Sequence, residues 1–373
     1  MADARSDRLV SLDVLRGVAV MGMILVNSAA AIFYGAKIDV HPLLLHAHWD
    51  GITIADVVFP AFLLLTGISI PIALSRGNDA RGLTAAASAS IAKRALRLFV
   101  IGLILSNLAW LTHATGHSWR LWGVLQRIGL VYAGCAMLFL ATSSRTRLLL
   151  IVLILVLYWP LVLLPSLDHL PTDIWLRGHN FAASVDRVLL GAGGHNYVAG
   201  PAGYDPEGLV GTLPAIAHGL IGVAIGERLV RRRPGEARTL ALIGGAMLVV
   251  GLAWSPFFPL IKDIWSSSFV LVTSGITILL LAACHTLFDH GGDASARWPV
   301  SVCLAFGGNA IAAYVLHEVT ASVVVWDATM TPYRLAAGTI PVAVASLLPI
   351  AAYMALIWSA MAYLQRRKWV IKV

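Results

Sequence analysis

Charged residues are scarce. Asp, Glu, Lys and Arg make up 12% of the 373 residues, about half the share a soluble domain carries. That argues against a water-soluble fold. Cysteine is scarcer still: Cys135, Cys284 and Cys303 each fall inside an apolar run, without ligand spacing. Neither a disulfide framework nor a zinc site is supported, and the three read as small apolar side chains. There is no P-loop, and no glycine fingerprint follows a strand, so a nucleotide fold is not expected. Internal repeats and low-complexity tails are missing too. The opening MADARSDRLVSLDVLRG lacks a cleavable signal pattern and reads as a cytoplasmic lead into a first span.

What is present is apolar: 58% of the residues are hydrophobic and the mean hydropathy is +0.81. The net charge is +8. Its cations lie in short segments between apolar runs, the pattern of a polytopic membrane protein, so no nucleic-acid partner is expected. About ten stretches reach the length of about 20 residues that a bilayer-spanning helix needs. They run approximately over 9–33, 53–74, 95–112, 122–142, 147–165, 209–229, 238–258, 267–287, 299–320 and 338–364. Alternating the connections divides the 27 Lys and Arg into 20 on the side of both termini and 7 opposite. That bias predicts cytoplasmic N- and C-termini. The expected fold is therefore an all-α integral membrane bundle of about ten helices, N-in and C-in, forming one domain over 1–373. Residues 166–208 form a long outer segment within it, rich in Gly, Trp, His and Tyr. Long connections of this kind are functional or disordered.

Polar residues sit where lipid makes them costly. The stretch LLLHAHWDGITIADVVFP puts His46, His48, Trp49, Asp50 and Asp56 before an apolar run. Asn27 lies near the outer end of the first expected span. Asp13 and Arg16 are three apart and can share a helix face. Gln126, Arg127, His218, Asn309 and His317 fall inside other spans. A lone His such as His218 reads as a packing residue, but a set in five spans implies a polar interior. His46 and His48 are two apart and no third ligand completes a catalytic zinc pattern, so no metal is expected.

Six stretches in one order carry a resemblance: SLDVLRGVAVMGMILVN, HAHWDGITIADVVFPAFLLLTGISI, GVLQRIGLVY, YDPEGLVGTLPAIAHGLIGVAIG, WSSSFVL and GGNAIAAYVLHEV. Together they resemble the heparan-α-glucosaminide N-acetyltransferase family of transmembrane acyltransferases. The resemblance implies transfer of acetyl from cytoplasmic acetyl-CoA, across the membrane, to the amine of a glucosamine-type sugar. It implies His46 as the active-site histidine, with Asn27 and His317 matching further functional positions. It also implies a homodimer. The lysosomal member has an added luminal region and one extra leading span, and Asp50 and His48 stand where it has Asn and Ser. These departures leave the acceptor open, and a bacterial inner (plasma) membrane location is expected.

The chemistry of amine acetylation suits these residues. Neutral imidazole can take the ammonium proton, so His46 is the expected base. Either Asp50 or Asp56 can fix its tautomer. Asn27 is a candidate donor to the thioester oxygen or the pantetheine arm, and His317 a second candidate for either role. Arg16, Arg94 and Arg97 are expected to meet the phosphates at the inner face, with Arg127 and Asn309 as further cofactor contacts. Trp49, Tyr204, Asp205 and Glu207 are expected to bind the sugar through ring faces and carboxylates. The DPEG stretch also reads as a turn with Asp205 capping a helix. The alternative is a secondary transporter of an amino sugar or related glycan, because buried Asp, Arg and His also serve proton coupling. Against it, the sequence offers no paired half-repeats or broken helices.

Overall fold

The computed structural model describes residues 9–75, 82–108, 119–191, 195–231, 234–289, 298–323 and 329–371. Among the cations of the charge bias, Arg5, Arg8, Arg76, Arg81, Arg232, Arg233, Arg297 and Lys372 lie outside the described residues. Helices dominate because backbone N–H and C=O groups in lipid must be satisfied within their own segment.

The described helices are α1 (Val10–Ala30), α2 (Ile54–Leu74), α3 (Ala85–Ser106), α4 (Val124–Ala141), α5 (Ser144–Val162), α6 (Phe181–Leu190), α7 (Thr212–Val230), α8 (Glu236–Trp254), α9 (Ser267–Phe288), α10 (Trp298–Gly308), α11 (Ala310–Val323), α12 (Thr331–Ala336), α13 (Val342–Ala345) and α14 (Leu347–Arg366). A π-helical turn, Ala31–Gly35, extends α1, and a 3₁₀ turn covers Pro42–Leu44. Among the described residues, eight helices are long and apolar enough to cross a membrane. They rise to nine if α10 and the part of α11 up to Ala321, bent by 81° at their junction, count as one span. This is a polytopic helical membrane protein. The sequence suggested about ten spans. The difference is α3, which begins ten residues before the expected span and carries Lys93, Arg94 and Arg97 on an exposed face.

The chain clusters into two compact units. The first holds the described residues up to His46, Thr53–Phe62 and those from Ile278 on. Its closest crossing is α1 on α10. A Cβ on Gly17 would sit 2.0 Å from the Cys303 carbonyl oxygen, and one on Gly307 would sit 1.9 Å from that of Asp13. Only glycine permits backbones this close, as in other membrane helix pairs. A buried cluster of Ala29, Ile32, Val40, Leu44, Met330 and Ile350 anchors the 3₁₀ turn, and so fixes the loop that leads to His46.

The second unit holds Ala47–Ile52 and Leu63–Thr277. Here the described residues of the long segment after α5 are structured. It carries α6, whose N-cap Asn180 side chain accepts from the Ala183 N–H at 2.9 Å. Trp49, Tyr158, Ile174, Tyr204, Phe258 and Ile264 belong to one buried cluster.

Candidate active site

The start of α2 builds the His46 site. Thr53 occupies the N-cap position, and Asp56 stands three residues on. The Thr53 N–H donates to Asp56 Oδ2 at 3.0 Å, and the Thr53 hydroxyl lies 3.0 Å from the same oxygen and 2.8 Å from the Leu45 carbonyl. This is one half of a capping box, with Asp in the acidic position; the Asp56 N–H donates to the Thr53 carbonyl at 3.2 Å instead of to its hydroxyl. It holds the carboxylate at the positive end of the helix, where a negative charge is favoured. The other oxygen, Oδ1, lies 2.8 Å from His46 Nδ1. The Asp56 side chain is 1% exposed and that of His46 is 45% exposed. An ionised carboxylate only accepts, so Nδ1 carries the hydrogen and the Nε2 lone pair becomes the basic position. Of the two carboxylates left open by the sequence, Asp56 is therefore the one on His46. In the second unit, Asp50 Oδ1 accepts from the Leu260 N–H at 2.9 Å, and the Gly51 N–H donates to the Leu260 carbonyl at 3.0 Å.

Elsewhere in the first unit, Asn27 Nδ2 donates to Glu318 Oε1 at 3.3 Å. His317 is 2% exposed, with its Nδ1 3.1 Å from the Tyr353 hydroxyl. Asn309 sits where α10 bends into α11. Its amide donates to the Trp369 carbonyl at 3.1 Å and accepts from the Ile371 N–H at 2.9 Å, so it ties down the segment after α14. Arg16 Nη1 donates to Asp13 Oδ1 at 2.7 Å.

In the second unit, Arg94 and Arg97 are exposed on α3, and the Arg94 guanidinium lies 4.7 Å from the Tyr132 ring centroid. Arg127 is 1% exposed. It donates to the Gly208 carbonyl at 3.0 Å and packs 5.1 Å from the Trp265 ring centroid, while its Nε and Nη1 have no hydrogen-bond partner among the described residues. His218, 0% exposed, lies 6.0 Å from the Trp265 ring, and neither of its nitrogens is hydrogen-bonded among the described residues.

Asp205 and Glu207 converge on Arg120, which the sequence reading did not single out. The Nε and Nη2 of Arg120 each donate to Asp205 at 2.7 Å, and Nη2 also donates to Glu207 at 2.5 Å. Burial works against the Arg120 charge, but the two carboxylates outweigh it and hold its pKa above the usual guanidinium value. Burial likewise pushes Glu207 upward, but Arg120, Arg127 and Lys262 outweigh it and bring its carboxyl below its usual range. DPEG is a turn, with the Gly208 N–H donating to the Asp205 carbonyl at 2.8 Å. It does not cap a helix, because α7 starts only at Thr212; Asp205 Oδ1 accepts instead from the Glu207 N–H at 2.9 Å, an Asx turn.

Beside this turn, Asp186 accepts from the Asp205 and Leu209 N–H groups at 3.3 Å. Burial first, then the charge of Asp205, pushes its carboxyl up to about 7 against these hydrogen bonds. Tyr204 donates to Asp263 and accepts from Arg177 Nε at 2.8 Å. Trp49 donates to the Ile174 carbonyl at 2.9 Å, and its ring meets Tyr204 edge-on with centroids 6.0 Å apart. Among the described residues, no three His, Cys, Asp or Glu side chains converge as a metal site would need.

A family model described as heparan-alpha-glucosaminide N-acetyltransferase, catalytic, matches residues 8–190. That stretch contains Asn27, His46, Thr53 and Asp56. The human heparan-alpha-glucosaminide N-acetyltransferase is 28% identical, over 84% of this chain and 53% of the relative. Over these residues the chain is similar to the heparan-alpha-glucosaminide N-acetyltransferase family. The mouse protein of the same name is 27% identical, over 84% of this chain and 54% of its own length. The chain therefore spans about half the length of the curated relatives it matches. The resemblance carried by the sequence motifs is borne out, and the family match encloses the whole His46–Asp56 loop.

Thr53 was missed at the sequence level although its signal was there: Thr-Ile-Ala-Asp before an apolar run is a capping pattern. Arg120, Glu318 and Tyr353 had no comparable signal. Each partners a residue at least 36 positions away.

Proposed function

We propose that the protein is a transmembrane acetyltransferase that moves acetyl from acetyl-CoA to the amine of a glucosamine-type sugar, with His46 as general base. The observation that carries this reading is the His46–Asp56 pair, a half-exposed imidazole oriented by a buried carboxylate at 2.8 Å. The amine lone pair attacks the thioester carbonyl, and His46 Nε2 takes the amine proton. The C–S bond then breaks, and CoA leaves as the thiolate, which is protonated in turn. Asp56 holds the tautomer and stabilises the imidazolium. Asn27 and His317 are assigned supporting roles at the thioester or the pantetheine arm.

Arg94 and Arg97 fit phosphates, being exposed and three residues apart on one helix, because guanidinium pairs phosphate bidentately. Arg16 is a further candidate on α1. Arg127 and Asn309 are engaged with backbone carbonyls and rank after these. Trp49 and Tyr204, buried in one cluster, are assigned to shaping the sugar site rather than to stacking on the ring, with Asp205 and Glu207 acting through Arg120. On this reading the termini and the CoA phosphates are cytoplasmic, and His46 is at the opposite face of a bacterial inner membrane. A homodimer is part of the same proposal.

Purified protein given labelled acetyl-CoA and glucosamine should yield N-acetylated sugar without sealed vesicles. His46→Ala should lose most of that transfer, by about 10²–10⁴-fold, while keeping its thermal stability. Near wild-type transfer by this variant would remove His46 from the role. The second reading, a secondary transporter, is favoured by one observation, the 81° break between α10 and α11, since broken helices mark transporter sites. Uptake of unmodified sugar into sealed vesicles, with no acetylated product, would select it.

A further inference from the structure

The first unit contains an apolar recess of about 500 Å³, within the ~300–1,000 Å³ range of small-molecule sites. Its walls include Leu25 of α1, Leu44 of the 3₁₀ turn, Ile54 at the start of α2, Ala343 of α13, and Leu347 and Ala351 of α14. Among the lining residues, His41 alone has a side chain that can donate a hydrogen bond.

Two placements decide what this recess can hold. The first is depth. Leu25, Ile54, Ala343, Leu347 and Ala351 all belong to helices long and apolar enough to cross a membrane, so these walls match hydrocarbon better than water. The second is continuity with the His46 site. Leu44 and Ile54 stand two residues from His46 and Asp56 respectively, and two residues of extended chain reach at most about 7 Å. The recess and the imidazole–carboxylate pair are thus built on one loop and one helix start. The phosphates and amides of CoA would find no side-chain partner but His41 against such walls. A hydrocarbon chain would leave no polar group unpaired.

We propose that the acceptor is an amphiphile, an amino-sugar head on a hydrocarbon chain, with the chain seated in this recess and the head emerging past His41 toward His46. The proposal rests on the acetyl transfer assigned to His46 above. Lipid tails are as apolar as the recess, so the chain gains no hydrophobic free energy by moving from bilayer to pocket. The gain is positional. Seating the chain confines the amine near the base, and linking two contacts in this way can raise apparent affinity by ~10²–10⁴.

The test compares kcat/KM for decyl glucosaminide and for free glucosamine, with the protein in lipid nanodiscs. The wild type should prefer the decyl acceptor. Ala351→Phe and Ala343→Phe fill the recess from different helices, and each should cut the preference by about tenfold or more. Partitioning into the nanodisc is the same for all three proteins, so only the recess can change the ratio. Equal preference for both acceptors in the wild type, or an unchanged ratio in the folded variants, would overturn the proposal while leaving acetyl transfer to glucosamine intact. Absence of transfer to either acceptor would overturn the underlying reaction as well. A decyl glucosaminide with a photoreactive chain end gives a readout that needs no variant. It should label a peptide containing residues 343–354, whereas even labelling across all the spans would mark the chain as bulk lipid and sink the idea.

Discussion

The loop that carries His46 and the cluster that carries Arg120 both set a basic side chain on buried carboxylate, yet they leave it in opposite states. His46 has one oxygen of Asp56 on Nδ1, while the second oxygen of Asp56 is held by Thr53. The imidazole stays 45% exposed. Arg120 has three hydrogen bonds to Asp205 and Glu207, and its guanidinium lies 4.5 Å from the Tyr197 ring centroid. One arrangement orients a half-exposed group. The other neutralises charge and ties a turn to the residues before α4. A carboxylate near a cation is therefore poor evidence for catalysis until the exposure of the cation is known.

The comparison breaks most visibly at Asp56. Asp56→Asn presents an amide to Nδ1 and weakens the hold on the productive tautomer. Acetyl transfer should fall within the ~10²–10⁴-fold range of general-base loss. Combining it with His46→Ala should cost little more, because residues acting as a unit are not additive. Rates of the two single variants and the double variant, with thermal midpoints as controls, decide the matter. Losses that multiply would show two independent sites.

Arg120 should respond in stability first. Arg120→Leu leaves two buried carboxylates unpaired and should destabilise the fold by about 3–5 kcal/mol, read from denaturant titrations in detergent. Adding Asp205→Asn and Glu207→Gln should recover part of that loss. A stable Arg120→Leu protein that fails only with acceptor would instead move Arg120 into the site.

Asp186 gives the smallest and most specific effect. Its folded carboxyl is raised to about 7, so the folded state holds that proton more tightly than the unfolded chain does. The stabilisation is present in full below the ordinary carboxylate range and is lost as pH rises through about 7. Asp186→Asn removes this dependence. Relative to the variant, the wild type should lose about 1–3 kcal/mol between pH 4 and pH 8. Thermal midpoints of the two proteins across that range test it, and parallel curves would show that Asp186 ionises normally.

Much of this was legible in the chain. Apolar runs marked most spans, and the roles proposed for His46 and Asn27 come from the HAHW and ILVN stretches. Helix α3 starts ten residues before the expected span because its exposed Lys93, Arg94 and Arg97 interrupt the apolar signal, and residues 109–112 of that span lie outside the described residues. The break at Asn309 was not foreseen either, since Gly-Gly-Asn within an apolar run reads equally well as continuous helix. Asp50 and Asp56 were indistinguishable by type and nearness to His46. The turn closed by Thr53 separates them.

What the sequence determined by itself is the membrane architecture and the chemistry on offer, because span length follows from bilayer thickness and residue type fixes what can accept or give a proton. What only the tertiary structure decided is which charge meets which. Asn27 and Glu318 are 291 residues apart, and Arg120 and Asp205 are 85 apart. Hydrogen bonding and Coulomb attraction depend on distance in space, and separation along the chain carries no record of it.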